Sequence, residues 1–464
     1  MSPRLRDVLL LALLAAPALA QDPLERLRQL EEHVAGQDRK IEAQNRKIEE
    51  LERRRSPIDD VDPARIDAAV DRYLDAKDSK LPVTAGFDGK FFVQSEDRDF
   101  RLTIGGLLQN DAQFFETDQA RNDTFIARRA RLEFEGRVFR HHEFRLEADF
   151  GDGQSRLLDG YYNANFVEQV QFRFGQFKEP FGHDVLAPWR WHDFIERTMG
   201  GENLAPGRDV GAMVHGRVLD RHLNYFVGLF NGEGQNARDD NDDKDLAVRL
   251  EGRPFRTSES IWLKGLRIAA NATVGRDETE ALGGTTFIDS TTAPFLTFSP
   301  GVRAGDEVLR LGTDVVWFVG PFTLTAEWMH LEQREIGRGS TVGALEAHDL
   351  YVAATYLLTG EDKTVPVFLP AHPFDPIEGG GWGAWEILGR YDWFHLEDER
   401  LIERGLATGT DEVHSWTGGL NWYLNSHVRL QFNYVFSMYD EAVRSGNAQG
   451  EDNHAVLLRL QLSF

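Results

Sequence analysis

The stretch Asn453–Phe464, NHAVLLRLQLSF, decides the fold. Val456, Leu458, Leu460, Leu462 and Phe464 alternate with Leu457, Arg459, Gln461 and Ser463. Successive side chains of a strand point to opposite faces, so this order separates an apolar face from a mostly polar one. A half-buried strand in a soluble protein looks the same over roughly five residues. It seldom keeps the pattern for twice that length and rarely ends on an outward aromatic.

The alternation recurs upstream. Phe100, Leu102, Ile104, Leu108 and Phe114 oppose Arg101, Thr103, Gln109, Asp111 and Gln113. Ile126, Ala130, Leu132, Phe134 and Val138 oppose Arg129, Arg131, Glu133, Glu135 and Arg137. Phe144, Leu146 and Ala148 oppose Arg145, Glu147 and Asp149, and Val428 to Phe436 repeats the order. Extended along the chain, the reading gives sixteen strands, near 99–116, 124–139, 142–151, 156–167, 169–178, 208–219, 222–231, 246–255, 261–276, 305–318, 321–334, 345–358, 383–397, 411–424, 427–438 and 453–464. Tight turns at Arg140-His141, Glu168, Asp220-Arg221, Gly320 and Asn425-Ser426 alternate with long polar segments at Asn231–Asp245, Asp277–Ala304 and Tyr439–Asp452. Thr359–Trp382 is long where a short turn is due. An even number of antiparallel strands with short turns on one side predicts an all-β transmembrane barrel of the bacterial outer membrane. A water-soluble sandwich with such an apolar band on every strand would aggregate. Trp262, Trp317, Trp328, Trp385, Trp393, Trp416 and Trp422 fall near strand ends, where interfacial girdles form.

The rest of the chain is organised around this domain, which spans 87–464. Val8–Ala20 is apolar, follows Arg4 and Arg6 and ends Ala-Leu-Ala, so residues 1–20 read as a secretory signal peptide. Residues 21–55 carry Leu27, Val34, Ile41 and Ile48 at seven-residue spacing, with Leu30, Gln37, Gln44 and Leu51 in the second seam position. This predicts an α-helical coiled coil that joins subunits. Residues 56–86 read as a short helix, with Ile66, Tyr73 and Leu74 on one face, and a linker over Lys80–Gly86. The absence of cysteine removes disulfide and thiol chemistry, and the net charge of −24 argues against nucleic acid as a partner. There is no Gly-x-Ser-x-Gly elbow or Ser/His/Asp set, and the histidines fall in turns or on outward faces. An enzyme, a cofactor and a bound metal are not expected.

Seven strings, in order, resemble the phosphate- and pyrophosphate-selective porin (O/P) family. They are Ala127–Phe134 (ARRARLEF), Gly175–Gly182 (GQFKEPFG), Gly228–Gly232 (GLFNG), Leu358–Glu361 (LTGE), Gly383–Glu386 (GAWE) with Arg390-Tyr391, Asn421–Tyr423 (NWY) and the terminal Arg459-Leu-Gln with Phe464. The resemblance implies a trimeric porin of sixteen strands, a third long loop, Lys178–Gly207, folded inward, and passage of small anions through an arginine-lined constriction. Carried over by position, Arg129 and Arg197 match arginines of that zone, and Asp159 an acidic residue beside it. Leu107 stands where phosphate-selective members have arginine, and Val185 where they have lysine.

A guanidinium suits an oxyanion because its rigid fork of donors matches the oxygens. Arg129 and Arg249 on inward strand positions, with Arg197 of the long loop as the resemblance implies, are the candidate ion-binding residues, with Asp159 beside them; most of the other inward arginines are expected to pair with carboxylates across strands. Trp189-Arg-Trp191 is a candidate for narrowing the pore, with Arg190 held by a cation–π contact. The expected partners are small anions, membrane lipid, two further copies of the chain and, through the coiled coil, the cell wall. The alternative is a general or cation-tolerant porin, or an envelope tether.

Overall fold

A computed structural model describes residues 42, 45, 46, 83–115, 122–239, 241–276, 282–305, 307–363, 369–377, 379–397, 400–445 and 448–464. The proposed signal peptide, the coiled-coil seam and the short helix after it lie outside these residues. Within the coiled-coil stretch Glu42, Asn45 and Arg46 are helical, and Arg46 pairs with Glu42 one turn away at 3.6 Å.

The described residues form twenty-one strands. They are β1 (Val83–Phe87), β2 (Phe91–Ser95), β3 (Arg101–Phe115), β4 (Thr124–Val138), β5 (His142–Asp149), β6 (Arg156–Val167), β7 (Val170–Lys178), β8 (Arg208–Val218), β9 (Leu223–Phe230), β10 (Asp245–Gly252), β11 (Leu266–Arg276), β12 (Thr286–Ile288), β13 (Pro294–Phe298), β14 (Glu307–Val319), β15 (Phe322–Arg338), β16 (Thr341–Leu357), β17 (Ala384–Leu396), β18 (Ala407–Gly409), β19 (Glu412–Tyr423), β20 (Val428–Ser445) and β21 (Ala448–Ser463). Sixteen of them, β3–β11, β14–β17 and β19–β21, form one antiparallel barrel closed by β21 on β3. The seam carries the opening stretch. Arg459 faces Asp111, Gln461 faces Gln109, and Phe464 exchanges backbone hydrogen bonds with Gly106. The Phe464 ring lies over Gly106, where a Cβ would meet it at 2.5 Å. Below that point β2 takes over the free edge of β3, pairing with Arg101–Ile104, so the β1–β2 hairpin extends the seam.

Burial runs opposite to that of a soluble protein. Outward Leu146, Phe174, Leu229 and Leu460 are exposed, while inward Gln109, Asp111, Glu133, Asn421 and Arg459 are buried. Lipid replaces water on the outer face, and the polar groups inside must satisfy one another. Two aromatic belts bound the apolar band. Trp385 stacks on Trp422 with centroids 4.9 Å apart at one end, and Trp393 and Trp416 stand at the other. Trp385 and Trp393 lie about 27 Å apart along β17, or about 20 Å along the normal at a tilt of roughly 40°.

Five details depart from the sequence reading. Val83–Gly86 form strand rather than linker. A bulge at Arg128 shifts the β3–β4 register, so Ile126 stands opposite inward Asp111 and Phe125, 82% exposed, takes the lipid face. One inserted residue flips every side chain beyond it. Ile261–Lys264 is a helical turn ahead of β11. β20 and β21 run on through most of Tyr439–Asp452. Asp277–Ala304, read as polar outer loop, contains β12 and β13, which build a small sheet with β18.

That small sheet belongs to the interior. Phe287, Phe295 and Phe298 are buried with Phe394, Leu396, Met329 and Leu331, whose inward positions on β15 and β17 are apolar for this reason. The segment 179–207 lies in the same cluster through Phe181, Met199 and Leu204. Apolar packing therefore occupies the part of the lumen around these residues.

Candidate functional site

The inward segment starts with a turn that needs glycine. Gly182 has a φ of 74°, and its N–H donates to Asn271 Oδ1 at 3.0 Å. Three short helical elements follow, α1 (His183–Leu186), a 3-10 turn at Trp189–Trp191 and α2 (Met199–Asn203). None is long enough to hold itself, so the wall supplies the partners. Glu327 accepts the N–H groups of His183 (2.6 Å) and Asp184 (3.1 Å), Asn433 that of Ile195 (2.8 Å) and Asp392 that of Met199 (2.9 Å). In the other direction Arg459 donates to the Ile195 carbonyl at 2.7 Å, Arg390 to those of Glu196 and Arg197 at 3.0 and 3.1 Å, and Gln431 and Asn421 to that of Asp193, both at 2.9 Å. Most inward polar residues of β17 and β19–β21 thus hold the segment. Lys363, from the long Thr359–Trp382 connection, donates to Asp193 and Glu386, both at 2.6 Å, so that unexpectedly long connection braces the segment too.

Against the opposite wall the segment leaves a cavity of about 200 Å³. Its charged lining is Arg131, Arg145, Arg173, Lys178, Arg190 and Arg208 against Glu133, Glu147 and Asp159, and the apolar side includes Leu107, Trp189 and Phe177. The carboxylates are fully engaged. Glu133 pairs with Arg190 and Arg145, Glu147 with Arg131 (3.1 Å) and Arg145 (2.8 Å), and Asp159 with Arg208 (2.7 Å) and Arg145 (3.1 Å). Two cations have no carboxylate within ion-pair distance among the described residues. Arg173 lies over Tyr161 and Phe177 at 4.3 and 5.4 Å. The Lys178 ammonium donates to the carbonyls of Val185 (2.6 Å) and Ala187 (3.1 Å). The cavity lining therefore carries a positive excess.

Of the four sequence candidates, only Asp159 lines this cavity. Arg129 is 6% exposed, lies 3.2 Å over the Trp189 ring and donates to Gln109 at 3.1 Å. Arg197 meets the same ring at 4.6 Å and pairs with Glu202 at 3.8 Å. Both sit around Trp189 and Glu196 rather than at the open space. Burial works against the Glu196 carboxylate, but Arg128, Arg129 and Arg459 together outweigh it and hold it down at about 2. Arg249 is elsewhere on the wall in a closed bidentate pair with Asp314, at 2.6 and 3.0 Å. Arg190 binds Glu133 and is 5.9 Å from Trp191, so its ion pair, not the ring, positions it. His215, expected in a turn or outward, faces in and bonds Asn163 at 2.8 Å.

Alternation missed Lys178 and Arg208 for a local reason. Lys178 has the parity of lipid-facing Phe172 and Phe174. Gly175, at a φ of 129°, twists the end of β7, and beyond it both Gln176 and Phe177 are buried. The available signal was the pair itself, because β7–β8 register sets Lys178 opposite Arg208. Like charges placed opposite each other destabilise a sheet unless something negative answers them.

Comparison with known proteins agrees with this architecture. The family model described as phosphate-selective porin O and P matches residues 102–464. The chain is 25% identical over 417 residues to Porin O of Pseudomonas aeruginosa, covering 81% of this chain and 91% of that one. Among solved structures, the outer membrane channel DcaP of Acinetobacter baumannii superposes with a TM-score of 0.53 at 14% identity, over 82% of this chain and 100% of its own. OmpT, an outer membrane protein of Vibrio cholerae in trimer form, gives 0.50 at 13%, over 79% and 99%. The matched segment is the barrel, whose lipid-facing band and lumen place the protein in the outer membrane as a channel, and the chain belongs to the family of phosphate-selective porins O and P.

Proposed function

We propose that the protein lets small anions diffuse passively across the outer membrane, with phosphate-like oxyanions held briefly at the cavity between Trp189 and the wall of β3–β8. The supporting observation is the imbalance at that cavity, six cationic side chains against three carboxylates. An ion entering it loses part of its hydration, and Arg173 and Lys178 offset that loss without first breaking an ion pair. Arg129 and Arg197 act in this reading by positioning Trp189. The family name supports a phosphate preference, while Leu107 lines the cavity as an apolar residue and favours broader anion passage. Reversal potentials in planar bilayers under a potassium chloride gradient test the reading. Anion permeability above that of potassium is expected, with phosphate blocking chloride current; cation selectivity would overturn it.

The N-terminal assignments belong to the same proposal: a signal peptide at 1–20, a coiled coil at 21–55 that joins subunits or reaches the cell wall, a short segment at 56–86, and the porin domain. A homotrimer is part of the same reading: the family resemblance implies it, and the superposed Vibrio protein is described in trimer form. No catalytic role is proposed, since the interior polar groups serve to hold the segment and line the passage. Crosslinking of the detergent-solubilised chain with and without residues 21–55 distinguishes assembly through the helix from assembly through the barrel.

A further inference from the structure

The outer rim of the barrel carries side chains that permeation does not use. Trp328, His330 and Glu332 on β15 and Glu346 and His348 on β16 share the outward face, and the register sets His330 opposite His348. The two Nδ1 atoms are 3.3 Å apart. Ligand atoms of His330, Glu346 and His348 all lie within 4.8 Å of one another. The far nitrogen of His348, Nε2, is 2.9 Å from Glu397 Oε1. Trp328 stacks on both imidazoles, with centroids 6.0 and 5.8 Å away. On β17, His395 stands opposite His348, and its Nδ1 is buried without a hydrogen-bond partner among the described residues.

We propose that His330, His348 and Glu346 form a binding site for a divalent transition metal, zinc in the first instance, on the outward face of the β15–β16 hairpin. Two nitrogens bound at 2.0–2.1 Å in a tetrahedron stand about 3.3 Å apart, the separation seen here. Holding one ring nitrogen on a carboxylate fixes the tautomer and turns the other toward the metal, which is what Glu397 does for His348. Histidine with carboxylate suits zinc, and two imidazoles disfavour magnesium and calcium, which take oxygen ligands. Glu346 is half-buried and needs a side-chain rotation to close on the ion; water or His395 fills the fourth position. The ion clips the rim where β15 and β16 continue past the aromatic belt.

The test uses the full chain in detergent, stripped with chelator and dialysed against zinc chloride. One zinc per chain is expected, together with anomalous scattering at the zinc edge between His330 and His348 in crystals of the unaltered protein. His330→Asn abolishes this binding, and Glu397→Gln, which keeps the shape of the supporting side chain, weakens it about 10–100-fold. Tetrahedral cobalt bands after substitution with Co²⁺ report the ligand set without reference to folding of a variant. No bound zinc, or zinc bound equally by both variants, or scattering located elsewhere, overturns the proposal.

Discussion

Replacing Arg173 by glutamine tests the proposed permeation site most directly, because this arginine lines the cavity and has no carboxylate within ion-pair distance among the described residues. The change keeps a long polar side chain and removes one positive charge. A cavity of about 200 Å³ puts an ion at its middle roughly 4–5 Å from a lining charge. A unit charge at that distance contributes about 1 kcal/mol in bulk water and about 4 kcal/mol at an effective dielectric of 20. The cavity lies between the inward segment and the wall and is open to the lumen, so a value between these two cases, about 1–2 kcal/mol, is expected, which corresponds to roughly a 5–30-fold weaker hold on a monovalent anion. The assay is chloride current against phosphate concentration in single-channel recordings, read as the half-blocking concentration. Arg173→Gln raises that concentration by the stated factor and lowers the ratio of anion to cation permeability. Arg249→Gln shifts the half-blocking concentration far less in channels that fold, because neither Arg249 nor the Asp314 it would leave unpaired lines the cavity. If Arg173→Gln is without effect while Arg129→Gln shifts the half-blocking concentration, the passage runs on the other side of Trp189 and the reasoning fails.

Leu107→Arg adds an inward charge at the cavity and increases anion preference, whereas Leu146→Arg, on the lipid face, costs about 2–4 kcal/mol near the bilayer midplane and lowers the yield of folded barrel; equal folding of the two by heat-dependent gel mobility would contradict the facing assigned to β3 and β5. Arg459→Met strands the buried Asp111 carboxylate and frees the Ile195 carbonyl, so the unfolding midpoint in urea falls by an amount equivalent to about 3–5 kcal/mol. Burial pushes the His192 imidazole, in the inward segment, from 6.5 down to about 3 despite Asp184 beside it. The unfolded chain then binds a proton that the folded one refuses, so stability is full above pH 6.5 and declines as pH falls toward 3. Glu196 adds a loss of the same sign between 4.5 and about 2, since it is ionised in the fold until lower pH than in the unfolded chain. Thermal midpoints measured from pH 8 down to pH 4 should drop below pH 6.5, and less steeply in His192→Gln.

The sixteen strands were legible because lipid on one side and a polar lumen on the other impose a period of two on every crossing, and nothing else in water does so repeatedly. NHAVLLRLQLSF closes the barrel as its alternation requires, with Arg459 and Gln461 inside. Arginines and acids inside were legible for the same reason. Which of them stay unpaired was not, since parity gives the face but not the partner: Arg249 finds Asp314 across the neighbouring strand β11, and Arg459 finds Asp111 across the closing seam, 348 positions away in the chain. The bulge at Arg128 and the twist at Gly175 each shift the facing within one strand, and neither leaves a periodic trace.

By itself the sequence determined that the chain crosses a membrane as a closed sheet and that charge lines the inside, because those properties repeat along the chain with the pleat. Only the tertiary structure decided where the inward segment leaves open space, since that depends on the wall groups that accept from and donate to the backbone of 179–207. Phe287, Phe295 and Phe298 pack into one side of the lumen, and the cavity lies on the other, where Arg173 and Lys178 have no carboxylate within ion-pair distance among the described residues.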